Sequence, residues 1–137
     1  MELKRRWRWI LLLCIPWILA GCRIQKLDTG KVRDLDYTVM DETEIPEEMR
    51  EQIERAKERP FLYTYADKGD LYIARGYGLQ ETGGYKILVS ELYESRNAII
   101  CRTTLMGPEP DEKVTDQPSG PYLVIRTAYS DKYVIAK

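Results

Sequence analysis

Few side chains in this chain are placed to carry covalent or acid–base chemistry. Cys101 follows the apolar run Ala98-Ile99-Ile100. A thiol is nucleophilic as the thiolate, which needs a nearby cation or a His partner. The 137-residue sequence contains no His. That absence also removes Ser–His pairs and the commonest zinc ligand. Cys101 is therefore expected to be buried and inert. Asp67 and Asp70 enclose Lys68, with no bidentate Glu at calcium-loop spacing, so they read as a turn. Gly76-Tyr77-Gly78 is not a dinucleotide loop, because Glu81 stands where the third Gly belongs. Glu109, Asp111, Glu112 and Asp116 read as a solvated acidic loop. No carboxylate pair is singled out as a hydrolytic acid and base. The expectation is a chain that is not an enzyme and uses no cofactor and no metal.

Cys22 is different, because the residues before it form an address. Lys4, Arg5, Arg6 and Arg8 precede an apolar run from Trp9 to Ala20, and the exit reads Leu19-Ala20-Gly21-Cys22. A basic start, a short apolar stretch and small residues at the exit make a secretory signal. The run is about a dozen residues, and a spanning helix needs roughly 20. The exit resembles the lipobox of bacterial lipoproteins, in which the peptidase cuts before the Cys and the thiol takes a diacylglycerol. The expected organisation is a signal peptide over 1–21, a tether over 22–35 and a single domain over 36–137. Cys22 is the expected lipid attachment, holding the protein on the extracytoplasmic side of the cell membrane. Cleavage removes four basic residues and Glu2, shifting the net charge from −1 to about −4. A domain without a basic face is a poor match for nucleic acid.

Two connections carry the candidate contact residues. Residues 76–85 contain Tyr77 and the stretch Thr82-Gly83-Gly84-Tyr85. Residues 106–121 contain Pro108, Pro110, Pro118 and Pro121. A loop of that length in a compact domain is commonly functional or disordered. Paired glycines allow another backbone to approach closely, and a following Tyr can present its ring. Tyr77, Thr82, Gly83, Gly84, Tyr85, Pro108 and Pro118 are therefore the expected protein-binding residues.

These loops must be held by the elements around them. Ile45, Met49, Ile53 and Ala56 recur at helical spacing, which predicts an amphipathic helix over 46–58. Thr43 or Glu44 is placed to cap it, and Pro60 ends it. Residues 36–40 read as a short strand. Phe61–Tyr65 and Leu71–Ala74 form a hairpin about Asp67-Lys68-Gly69-Asp70. Tyr85–Tyr93 and Ala98–Leu105 pair across Ser95-Arg96-Asn97, and Tyr122–Ala128 with Lys132–Ala136 suggest a final hairpin. The predicted fold is mainly β (α+β). It is a small antiparallel sheet or sandwich of about six to seven strands with the helix packed on it.

From about Leu71 onward the order of features resembles the PrcB C-terminal domain family. The residues that carry the resemblance are the Thr82-Gly83-Gly84-Tyr85 entry, Glu91-Leu92-Tyr93-Glu94, Ala98 to Thr104, the Pro108 and Pro118 loop, and Pro121-Tyr122-Leu123-Val124-Ile125. Members are typically small secreted or lipid-anchored bacterial proteins. The resemblance implies a non-enzymatic accessory module that binds an envelope protein and stabilises or assists a surface protease complex. It supplies no catalytic residues. An alternative is a protease inhibitor, because Gly83-Gly84-Tyr85 is loosely similar to the inserting loop of chagasin-like inhibitors, without their Asn-Pro.

Overall fold

The computed structural model describes residues 27–137. The expected signal peptide over 1–21 and Cys22 lie outside the described residues. Eight strands and one α-helix are formed among those described. The strands are β1 (Arg33–Asp34), β2 (Thr38–Val39), β3 (Pro60–Asp67) and β4 (Asp70–Tyr77), followed by β5 (Lys86–Glu94), β6 (Ala98–Met106), β7 (Tyr122–Ala128) and β8 (Tyr133–Ala136). The helix, α1, is Glu47–Ala56. The fold is mainly β, in two four-stranded open sheets. Sheet I has the order β2-β7-β4-β3 and sheet II the order β1-β5-β6-β8.

The layers follow from strand alternation, because successive side chains point to opposite faces. In β4, Leu71 and Ile73 point to sheet II and meet Leu92, Ile99 and Cys101, together with Ile125 of β7. Tyr72 and Ala74 point the other way and pack with Met49 and Ile53 of α1. Sheet I is thus buried on both faces at its centre, and the apolar run Leu71-Tyr72-Ile73-Ala74 reflects that. Met49 and Ile53, at i and i+4, are fully buried. Neither Thr43 nor Glu44 caps the helix. Residues 42–44 form a separate 3-10 turn, and Pro46 directly precedes α1, with no side-chain cap bond. Glu47 and Glu48 in the first turn and Arg55 in the last complement the helix dipole.

The β3–β4 hairpin turns on Lys68 and Gly69, both at positive φ (50° and 82°). A two-residue turn of that hand matches the twist of the flanking strands. The expected final hairpin is not formed. β8 leaves sheet I, crosses to sheet II and pairs in parallel with β6 from Ala98↔Tyr133 to Cys101↔Ala136. Both edges of β7 are already taken, by β2 and β4, so β8 finds no place beside it. The segment expected to be a tether is docked from Asp28 onward. Its residues 33–34 form β1 against β5, and Leu35 packs between the sheets. Its polar composition hides a strand held mainly by backbone bonds. Among the described residues no helix is long and apolar enough to cross a membrane.

Candidate functional site

The two loops that carry the predicted contact residues are packed on each other. Gln80 and Ser119 exchange backbone hydrogen bonds of 2.7 and 3.0 Å. The Gly83 amide donates to the Thr115 carbonyl at 3.0 Å, and the Ser119 hydroxyl donates to the Thr82 carbonyl at 2.6 Å. Gly83 is needed because a Cβ there would lie 2.7 Å from Thr115 Oγ1. Gly84 has φ +85°, and a Cβ there would run into Val114 and come within 2.9 Å of Pro108 Cβ. The glycines therefore admit the chain's own long loop and do not face solvent as an open landing site. Pro108 forms part of that contact, while Pro118 is exposed on the far limb of the loop.

Tyr77 does not join this group. Its hydroxyl shares a 2.6 Å hydrogen bond with the Thr103 hydroxyl, linking β4 to β6. The Arg75 guanidinium lies over its ring, 4.4 Å from the centroid. Arg75 also donates to the carbonyls of Phe61 (3.1 Å) and Gly76 (2.8 Å). Tyr77 is thus a strut between the sheets. Cys101 is buried in the core between the sheets, and burial pushes its thiol up to about 11, although the Arg75 charge opposes the shift. Such a thiol is protonated at neutral pH and is a poor nucleophile.

Tyr85 keeps its ring beside Gly107 of the long loop and lines a cleft of about 480 Å³. One wall is the start of β5, Lys86-Ile87-Leu88, and the other is Tyr122-Leu123-Val124 of β7. Met40, Glu42 and Ile45 close one side, and Gly120 and Pro121 bring in the root of the long loop. The cleft exists because the N-terminal strands part company. β1 covers β5 only at Tyr93 and Glu94, and the chain then crosses to pair β2 with β7. Among the described residues the first half of β5 is left without a strand neighbour on that side. Thr103 donates its amide away from β5, to the Lys137 carbonyl, so Val89 opposite it also turns its backbone groups outward. By alternation Ile87 does the same, facing the cleft.

The walls carry apolar side chains and almost as much polar surface. Leu88 is 51% exposed, a large apolar side chain open to water. Glu42 and Lys86 supply opposite charges. The Tyr122 hydroxyl donates to Glu42 at 3.4 Å, and burial followed by the Glu42 charge raises its pKa. Among the described residues no cluster of three His, Cys, Asp or Glu side chains is placed to hold a metal ion. The arrangement offers main-chain donors and acceptors beside exposed apolar side chains, the combination that receives an extended segment. Sequence reasoning named Tyr85 as a loop contact residue and did not name Lys86, Leu88 or Tyr122. Their one signal is Leu88 itself, a large apolar residue on the face opposite Ile87 and Val89.

The fold and site define a small two-sheet β module, with clasped loops beside a half-open strand edge. Residues 71–128, from β4 to the end of β7, match the model of the family described as PrcB C-terminal. The match spans both loops and the β5 wall of the cleft, and leaves out α1 and β3. No curated protein and no solved structure matched the chain.

Proposed function

We propose that the protein is a non-enzymatic accessory lipoprotein, anchored through diacylglycerol on Cys22 at the extracytoplasmic face of the cell membrane. In this reading it binds an extended segment of an envelope protein in the cleft beside β5. The family of residues 71–128 suggests a protease complex as the setting. The observation that carries the binding reading is the unpaired start of β5 next to the exposed Leu88 and the clasped loops. Anchoring would confine the module near its partner and raise the effective concentration of the cleft. The chagasin-like alternative needs a free Gly83-Gly84-Tyr85 loop, and the packing of both glycines on the long loop counts against it.

The test places a photo-cross-linking side chain at position 88 of the full-length protein in source membranes. One envelope protein should be cross-linked, with lower yield from Cys22→Ala. With the cross-linker moved to Lys86, Leu88→Asp should reduce the yield about tenfold, which corresponds to roughly 1.4 kcal/mol. Its melting temperature should stay near that of wild type, because Leu88 is exposed. Cross-linking that is indifferent to Leu88→Asp would remove the cleft from the binding surface.

A further inference from the structure

We propose that the protein forms a two-fold dimer by pairing β3 with β3 of a second copy, which joins the two sheets I into one. Among the described residues β3 is the terminal strand of sheet I. It is eight residues long, and no charged residue occurs between Pro60 and Asp67. Natural edge strands are usually shortened, bulged or charged to prevent pairing. This one is neither short nor bulged, and its proline and its charge, Pro60 and Asp67, stand only at its two ends.

The register of the hairpin defines what the free edge offers. Asp67 and Asp70 flank the two-residue turn, so residues 67, 65, 63 and 61 direct their backbone groups to β4. Leu62, Thr64 and Ala66 direct theirs outward. Pro60, which has no N–H, limits the edge at one end, and Lys68, at positive φ, limits it at the other. Within those limits one antiparallel register uses all three outward residues. It sets Thr64 opposite Thr64 of the second copy and Leu62 opposite Ala66, giving about six backbone hydrogen bonds.

The side chains suit that register. Thr faces Thr and Leu faces Ala on one side of the sheet. On the other side Tyr63 faces Tyr65, an aromatic pair across the new strand boundary. Asp67 faces Phe61, so no two like charges are opposed. This self-complementarity is what an isologous contact requires and selects a second copy as the occupant. The pairing involves neither the cleft nor the family segment, so it stands or falls separately from the function proposed above.

The test uses the full-length protein in detergent, with its mass measured by sedimentation. The wild type should form a dimer. Thr64→Lys places two ammonium groups on the axis and should weaken the dimer about tenfold or more without changing the fold. Under oxidation Thr64→Cys should link to itself above the wild-type background set by the native cysteines. Leu62→Cys alone should not, but Leu62→Cys with Ala66→Cys should. A monomeric wild type overturns the proposal and leaves the edge to a strand of another protein. A dimer that survives Thr64→Lys and fails to link through position 64 also overturns it.

Discussion

The helix and the N-terminal segment both dock on the β-sandwich, by opposite means. α1 covers sheet I with Met49 and Ile53, which have no exposed surface and sit against Tyr72, Ala74 and Val124. Segment 28–35 lies along sheet II and is held almost wholly by polar contacts. Val32 and Leu35 donate to the carbonyls of Glu94 and Leu92, at 2.8 and 2.9 Å. The Tyr93 hydroxyl donates to the Thr29 carbonyl, and the Lys31 ammonium lies 5.1 Å from the Tyr93 ring centroid. Arg33 pairs with Glu94 at 2.6 Å, and Lys31 pairs with Asp34 and Glu91. Leu35 is its one apolar anchor between the sheets. An apolar cover is insensitive to pH and salt, while exposed ion pairs are weakened by both. The helix therefore belongs to the cooperative core. The segment that leads back toward Cys22 can open without it.

The largest effect that separates the two is in the helix. Ile53→Ala removes buried methylenes and leaves a cavity between α1 and sheet I. It should cost about 2–5 kcal/mol of global stability. Denaturant unfolding should show a lower midpoint with an unchanged slope. A change below about 0.5 kcal/mol, the size typical of surface substitutions, would mean that α1 is an ornament on a self-sufficient sandwich.

The same contrast decides what was legible in the sequence. Ile45, Met49 and Ile53 announce α1 because burial on one face imposes a helical period. β4 and β6 are legible because their residues are buried and β-branched or aromatic. β1 was not legible, because Arg33 and Asp34 carry no apolar pattern and their strand is held by the backbone. The partner of β8 was hidden for a topological reason. Tyr129-Ser130-Asp131 signals a change of direction, and only the occupancy of both β7 edges sends the chain to sheet II. The Gly83-Gly84 pair was legible as a site of close approach. What approaches is Thr115, Val114 and Pro108 of the same chain, a long-range contact that local spacing does not encode. The cleft wall was illegible for the same reason, since it exists only where β1 and β2 diverge.

A smaller and more local effect is expected from the ion pairs. Glu94 is bonded by Arg33 on β1 and by Lys132 at 3.4 Å, just before β8. Glu94→Gln keeps the shape and removes the charge. Hydrogen-exchange protection of the Val32 and Leu35 amides should fall, while the amides of α1 keep theirs. Equal losses in both regions would show that the segment and the helix open together, and the distinction drawn between them would fail.

The smallest effect is the pH response of the same carboxylate in the unaltered protein. Partial burial pushes the Glu94 pKa up, but hydrogen bonds from Arg33 and Lys132 outweigh it and hold the group below its ordinary value of 4.5. A carboxyl whose pKa is lower in the folded chain binds its proton more readily when unfolded. Its contribution is therefore fully present above about pH 4.5 and is lost as the pH falls through the lower folded value. The Val32 and Leu35 amides, corrected for intrinsic exchange, should keep constant protection from neutral pH down to that point and lose it below. Protection of the α1 amides should be the same in the wild type and in Glu94→Gln, since Met49 and Ile53 anchor the helix without that carboxylate. In Glu94→Gln the step should vanish and leave a low, flat profile. A step that persists in that variant would show that Glu94 does not carry the response.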